Sequence, residues 1–247
     1  MNARRAMRRR LALEQKHPTF HIGFVLFPDL TQLDLTGPWE VLTRLPNAVC
    51  HLVSDDLSPV RSASGGLAIL PNTTFADCPQ LDVLCVPGGP GHLRAMENAG
   101  LLAFLRAQAA SCRNVTAVCT GALVLAAAGL LEGYRATTHW MSLERLAAFG
   151  AVAENARVVV DRNRVTGGGV TAGIDFALVL AAQLASENMA RAIQLQIEYA
   201  PEPPYEGLPE TANRLVVAAV RAASAAYLSK IAEVDARAVA RLASPES

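Results

Sequence analysis

Cys119 stands where a β-branched run, "VTAV" (115–118), breaks into Thr120 and Gly121 ahead of the Ala/Leu-rich "ALVLAAAGLL". A strand–nucleophile–helix turn of the G-x-[S/C]-x-G type lifts its side chain above a sheet and aims the next backbone N–H groups at developing negative charge. The match is partial, because Gly121 follows two residues later but Ala117 replaces the glycine two before. A helix N-terminus beneath the sulfur favours thiolate and lowers the thiol pKa. The plainer reading is a small buried hydrophobe, and local sequence leaves both open. Cys50, Cys78, Cys85 and Cys112 have no such context and are expected to be packing residues.

Asp34, in "QLDLTGP", is the second chemical candidate. It either caps the following helix and orders the Thr36-Gly37-Pro38 turn, or points into a closed pocket. Desolvation there would raise its pKa and make it a proton carrier beside a thiol. In "PGGPG" (87–91), Gly88, Gly89 and Gly91 can donate backbone N–H groups to a ligand, whereas Pro90 cannot. Gly37 joins Gly88 and Gly89 as a candidate contact to substrate or oxyanion. The loop lacks the spacing of a dinucleotide fingerprint and no P-loop lysine follows. "TGGGVTAG" (166–173) reads first as tight strand–helix packing. His139, in "ATTHW", either meets the thiol in a Cys–His pair or orders a loop, and no acidic residue follows closely enough for a relay.

The elements that must position these residues alternate along the chain. Strands are expected at 21–27, 48–54, 81–89 and 115–118, with hairpins around Gly65-Gly66 and Asp161–Asn163. A helix is expected to begin near Pro38 and Trp39. Others are expected at "GLLAFLRAQAASC", after Cys119, at "MSLERLAAF", at 171–185 and, from Ser186, at "ENMARAIQLQIEY". A Pro-rich loop (200–209) precedes a helical, Ala-rich tail in one or two pieces. The pattern implies an α/β fold: one doubly wound, mostly parallel sheet with helices on both faces. Residues 1–20 are expected to form a disordered basic arm, and 21–247 one domain with added C-terminal helices from about 210.

Formal net charge is zero, from 22 basic and 22 acidic residues. No basic stripe with interleaved aromatics points to nucleic acid. No apolar run reaches the roughly 20 residues of a membrane span, and no secretory core region follows the arginines. Five cysteines without a CxxC pair argue against a disulfide framework or structural zinc, and for a reducing, cytoplasmic setting. With no HxxxH or HxH pair, no metal site is expected.

"QLDLTGPWEVL", "LDVLCVPGGPG", "VTAVCTGALVLAAAGLL", "RATTHW" and "VTGGGVTAGIDFAL", in this order, resemble the PfpI-like superfamily. With "QLQIEYAPEPP" (194–204), they resemble the isonitrile hydratases within it, from about His21 to Glu210. The resemblance implies a flavodoxin-like, class I glutamine-amidotransferase-like fold and a homodimer. It also implies hydration of an isonitrile to an N-substituted formamide without metal or organic cofactor. The functional set carries over as Asp34, Cys119 and Thr120: a thiolate attack, an aspartate serving both proton steps, and a threonine that positions water. The Thr120 and Gly89 N–H groups would face the developing charge, and Trp39 and Trp140 would wall the pocket. Competing readings are a ligand-sensing domain like those of AraC-type regulators, and a glyoxalase- or amidase-like thiol enzyme.

Overall fold

The first strand, β1 (Phe20–Val25), is buried along nearly its whole length, as a strand covered on both faces must be. It lies parallel to β2 (Ala48–Ser54) on one side and to β6 (Val83–Val86) on the other. Next come β7 (Asn114–Val118) and β11 (Arg164–Gly167), again parallel. The antiparallel partner β10 (Val158–Asp161) closes one edge and the two-residue β5 (Thr73–Thr74) the other. The order is β10-β11-β7-β6-β1-β2-β5. The chain therefore leaves β1 toward β2 and later crosses back to β6. That reversal makes the carboxyl ends of β1 and β6 a topological switch point, where open α/β sheets bind ligands. The computed structural model describes residues 19–243.

The layers come from α1 (Gln32–Leu42), α2 (His92–Ala95), α3 (Ala99–Ala109), α4 (Gly121–Ala127), α5 (Ala172–Leu184), α6 (Glu187–Gln196) and α7 (Arg214–Ala243). The expected hairpin at Gly65-Gly66 joins β3 (Val60–Arg61) to β4 (Ala68–Ile69), and β8 (Arg135–Ala136) pairs with β9 (Val152–Ala153). Ser186 caps α6 by accepting from the Met189 N–H. The fold is the doubly wound α/β arrangement expected from the alternation, of the flavodoxin-like kind that the resemblance implies.

Two expectations change, and the tail takes its two-piece form. Helix α1 begins at Gln32 rather than near Pro38, so Pro38 lies inside it and Asp34 in its first turn. Pro38 has no N–H to give the Asp34 carbonyl one turn earlier, and its ring meets α5 at Gly173. Residues Trp140–Phe149 form 3-10 helix rather than α-helix; the Ser142 N–H closes on the His139 carbonyl at 2.7 Å. The tail is helical from Arg214 to Ala243 but bends by 60° between Ala225 and Tyr227. Its second half buries Ile231, Val234 and Ala238, the last two joining the main core cluster. Apart from Thr19 and Phe20, the arginine arm lies outside the described residues.

Candidate active site

Strand β7 delivers its chain directly into Cys119, whose φ of 56° is left-handed. That conformation costs a non-glycine residue roughly 1–2 kcal/mol, and it is what turns the strand sharply into α4. The bend is held from both sides: the Cys119 N–H donates to the Gly167 carbonyl at 2.9 Å, and the Thr138 hydroxyl donates to the Cys119 carbonyl at 2.7 Å. Gly121 is required just beyond, because a Cβ there would strike the Val86 and Pro87 carbonyls. The turn presents Cys119, but into a buried space rather than to solvent.

Asp34 does not cap a helix. Its side chain is buried, and Oδ2 accepts the Gly88 N–H at 2.9 Å from 54 residues away. Among the described residues, Asp34 Oδ1 is the one buried side-chain polar atom without a well-formed hydrogen bond. The Cys119 thiol nevertheless acts on this carboxyl as a hydrogen-bonding neighbour. Burial is the largest influence and pushes the Asp34 pKa up to about 7, against the smaller opposing pull of the Gly88 N–H and the thiol. A carboxyl poised near neutrality can both give and take a proton.

Thr120 locks the two loops together. The Gly89 N–H donates to its hydroxyl oxygen at 2.9 Å, and the Gly89 carbonyl lies 3.3 Å away as an acceptor. The Thr120 N–H and hydroxyl both favour the thiolate of Cys119. The expectation of an acidified thiol is nonetheless overturned. Burial first and the neighbouring Asp34 second hold the Cys119 pKa well above the ordinary thiol value. The short α4 terminus cannot offset that desolvation.

The glycines divide. A Cβ on Gly88 would come within 2.5 Å of Thr120 N, 2.7 Å of Thr120 Oγ1 and 2.9 Å of Asp34 Oδ2. Gly88 is therefore the point where carboxyl and threonine converge. Gly89 is in the same cluster, but its N–H is engaged by Thr120 and does not serve as an oxyanion donor. Gly37 is not in the cluster. It sits inside α1 against Ile174 of α5, so its lack of a side chain serves helix packing.

His139 caps the 3-10 helix, its ring accepting from the Met141 N–H at 3.4 Å, and among the described residues no hydrogen bond joins it to Cys119. Trp39 packs edge-on against Phe24, with ring centroids 5.2 Å apart, as part of the core. Trp140 lines a cleft of about 390 Å³ with Leu143, Val217 and Arg221, which does not include Cys119 or Asp34. The other cysteines are free thiols with pKa values raised by burial. Among the described residues no group of three His, Cys, Asp or Glu could hold a metal ion.

Sequence reasoning missed four residues around this centre. Thr138 lies one position before the histidine that drew attention. His92 follows the glycine loop and bonds through Nδ1 to the Gly89 carbonyl at 2.9 Å. Its other nitrogen meets Arg145 at 3.0 Å. Tyr227 reaches the same histidine from α7 at 3.2 Å. The only sequence signal was the spacing of His92 three residues after Gly89; nothing local marked Arg145 or Tyr227.

Residues 21–183 match the DJ-1/PfpI family. The chain is 54% identical over 222 residues to "Isonitrile hydratase" from Pseudomonas putida, covering 90% of this chain and 97% of that protein. It is similar in structure to a THiJ/PfpI family protein from Pseudomonas syringae, with a TM-score of 0.85 and 43% identity over 90% of this chain and 91% of that one. It is also 36% identical over 187 residues to the HTH-type transcriptional regulator GbdR from Pseudomonas aeruginosa. That match takes in 72% of this chain but only 50% of the regulator.

Proposed function

The chain belongs to the DJ-1/PfpI family, and we propose that it is an isonitrile hydratase, adding water to R–N≡C to give an N-substituted formamide. The observation that carries the chemistry is the buried Asp34 carboxyl beside the Cys119 thiol, one of its oxygens lacking a well-formed hydrogen bond. Similarity to the Pseudomonas putida enzyme across nearly its whole length supports the substrate class.

The mechanism follows from the shared proton. In the resting pair the thiol keeps its proton, since burial and the neighbouring carboxylate both disfavour thiolate. When the terminal isonitrile carbon arrives, Asp34 relays that proton from sulfur to carbon while sulfur bonds the same carbon. The product is a thioimidate, R–N=CH–S–Cys119. Asp34 is then a carboxylate again and takes a proton from water as its oxygen adds to the thioimidate carbon, and the nitrogen is protonated. Collapse forms the carbonyl, breaks the C–S bond and releases the formamide. The departing sulfur is eased by the Thr120 N–H and hydroxyl, which stabilise its charge, and recovers its proton from Asp34. No step calls on a histidine relay or a cofactor.

Formamide formation from cyclohexyl and benzyl isonitriles, followed by chromatography, tests the reading. Turnover is expected from the wild type. Its absence across a panel of alkyl and aryl isonitriles would refute the hydratase assignment. Binding without turnover would then favour a ligand-sensing role like that of a regulator, and turnover of aldehydes or amides a glyoxalase- or amidase-like one.

Two substitutions probe the loop junction. Thr120→Val leaves the buried Gly89 N–H without its acceptor, at a cost of about 1–3 kcal/mol. Turnover is expected to fall about 10- to 100-fold, with Thr120→Ser restoring most of both losses in urea unfolding and rate assays. Gly88→Ala must push Thr120 and Asp34 apart, and displacements of that size reduce rates by about 10²-fold. A folded Gly88→Ala variant with wild-type turnover would show that the junction is not catalytic.

We also propose that 21–247 act as one domain and that the protein is a cytoplasmic homodimer. Free thiols at all five cysteines suit a reducing compartment. Sedimentation at micromolar concentration is expected to give twice the chain mass. Among the described residues, no single helix is long and apolar enough to cross a membrane.

A further inference from the structure

Helix α7 sends Tyr227 to His92, and the hydrogen bonds around His92 leave the tyrosine hydroxyl proton free of that ring. Arg145 is clamped by Asp235 of α7, through Nε at 2.8 Å and an NH2 group at 2.6 Å. Its remaining terminal nitrogen lies 3.0 Å from His92 Nε2. A guanidinium only donates, so His92 Nε2 must accept and carries no proton. Burial and the nearby Arg145 depress the His92 pKa to about 3, so the ring is neutral. Its single proton is then on Nδ1, which faces two oxygens: the Gly89 carbonyl at 2.9 Å and the Tyr227 hydroxyl at 3.2 Å. Tyr227 is therefore an acceptor toward His92, and its own O–H proton is directed elsewhere.

The geometry points to a function for that proton: we propose that Tyr227 donates it to the substrate nitrogen when water adds to the thioimidate on Cys119. The hydroxyl shares His92 with Gly89, and Gly89 is bonded in turn to Thr120, next to the nucleophile. A thiolate at Cys119 would add a smaller upward push to the Tyr227 pKa, after burial. The inference rests on the hydratase reading and identifies the donor that the second step requires.

The step balances. Water oxygen bonds the thioimidate carbon, and the C=N π pair moves to nitrogen, which takes the Tyr227 proton. Asp34 takes the other proton released by water. On collapse the new hydroxyl returns its proton to the Tyr227 phenolate, the C–S bond breaks, and sulfur leaves as thiolate. The formamide departs as R–NH–CHO, with the Cys119 thiolate and protonated Asp34 equivalent to the starting pair. A phenol pushed up to about 12 by burial stays protonated between turnovers. It remains far more acidic than the N–H bond formed when the nitrogen takes its proton. Asp34 serves the carbon and the water, and Tyr227 serves the nitrogen.

Tyr227→Phe keeps the ring and removes only the donor. Its kcat is expected to fall about 10²-fold, the lower end of general-acid effects, with thioimidate formation left within about threefold of wild type. The variant should therefore accumulate a Cys119 adduct of isonitrile mass, visible by intact-protein mass spectrometry during turnover and absent from wild type. Wild-type kcat with no adduct would overturn the proposal. So would a fall in kcat accompanied by an equal fall in adduct formation, which would indicate misplacement of the nucleophile. A readout independent of turnover is the ¹⁵N spectrum of the His92 ring in wild-type protein. The proton is expected on Nδ1; a proton on Nε2 would make Tyr227 the donor to His92 and refute the assignment. If isonitriles are not turned over at all while His92 carries its proton on Nδ1, the hydratase reading fails and the donation to substrate nitrogen falls with it, while the His92 tautomer stands.

Discussion

Cys119→Ala is expected to lose formamide formation by roughly 10⁴-fold or more, the scale on which removal of a covalent nucleophile reduces turnover. No other group can take its place, because the remaining cysteines lack the turn that presents Cys119 beside Asp34. The fold should survive, since alanine keeps the small buried volume and the backbone bonds to Gly167 and Thr138. Cys119→Gly should be equally inactive yet more stable than Cys119→Ala. Glycine adopts a φ of 56° without the Cβ penalty, worth about 1 kcal/mol or about 2–4 °C in Tm for a domain of this size. Turnover by Cys119→Ala within tenfold of wild type would remove the covalent mechanism. A Cys119→Gly variant melting below Cys119→Ala would remove the argument that the elbow stores backbone strain for the sake of the thiol.

Asp34→Asn is the second large effect, with rate and stability expected to move in opposite directions. The amide keeps the shape and an oxygen for the Gly88 N–H but cannot carry a proton, so turnover should fall about 10²- to 10⁴-fold. The wild-type kcat/KM should rise through about pH 7 as Asp34 ionises and becomes able to take the thiol proton; the variant should lack that rise. Stability follows from linkage. The Asp34 pKa goes from 3.8 in the unfolded reference to about 7 in the fold. Between these values the native chain holds a proton that the unfolded chain has released. Wild-type stability from this group is therefore fully present below about pH 4, declines as pH rises, and is gone above about pH 7. The loss is at most about 4 kcal/mol. Cys119 stays protonated throughout that window, so the change belongs to Asp34. Urea unfolding should find Asp34→Asn close to wild type at pH 4 and more stable at pH 8. Equal stability at pH 8 would mean that the carboxyl is not desolvated.

Much of the scaffold was legible along the chain because burial of a strand on both faces leaves a local mark. The runs at β1, β6 and β7 are mostly apolar segments with proline or glycine soon after them, and their alternation with helical stretches admits few topologies. The elbow was legible for a similar reason: a cysteine between a β-branched run and Thr-Gly marks an abrupt change of period. Pro38 misled because proline favours the first turn of a helix. Its ring packs in mid-helix against Gly173 of α5, a neighbour that no local window contains. Gly37 misled likewise, since a glycine for helix packing and a glycine for ligand approach look the same in one dimension.

The sequence by itself determined the α/β class, the strand that ends at Cys119 and the glycine loop that faces it, since each follows from side-chain periodicity and turn chemistry within a few residues. Only the tertiary structure decided that Asp34 meets Gly88 and Cys119 rather than capping α1, that Gly89 is committed to Thr120, and that α7 brings Tyr227 to His92. It also reversed the expected direction of the thiol pKa. The physical reason is desolvation: the charge a buried group can carry depends on everything packed around it. Around Cys119 that surrounding is assembled from β7, α1 and the loop after β6, segments that come together only in the folded chain.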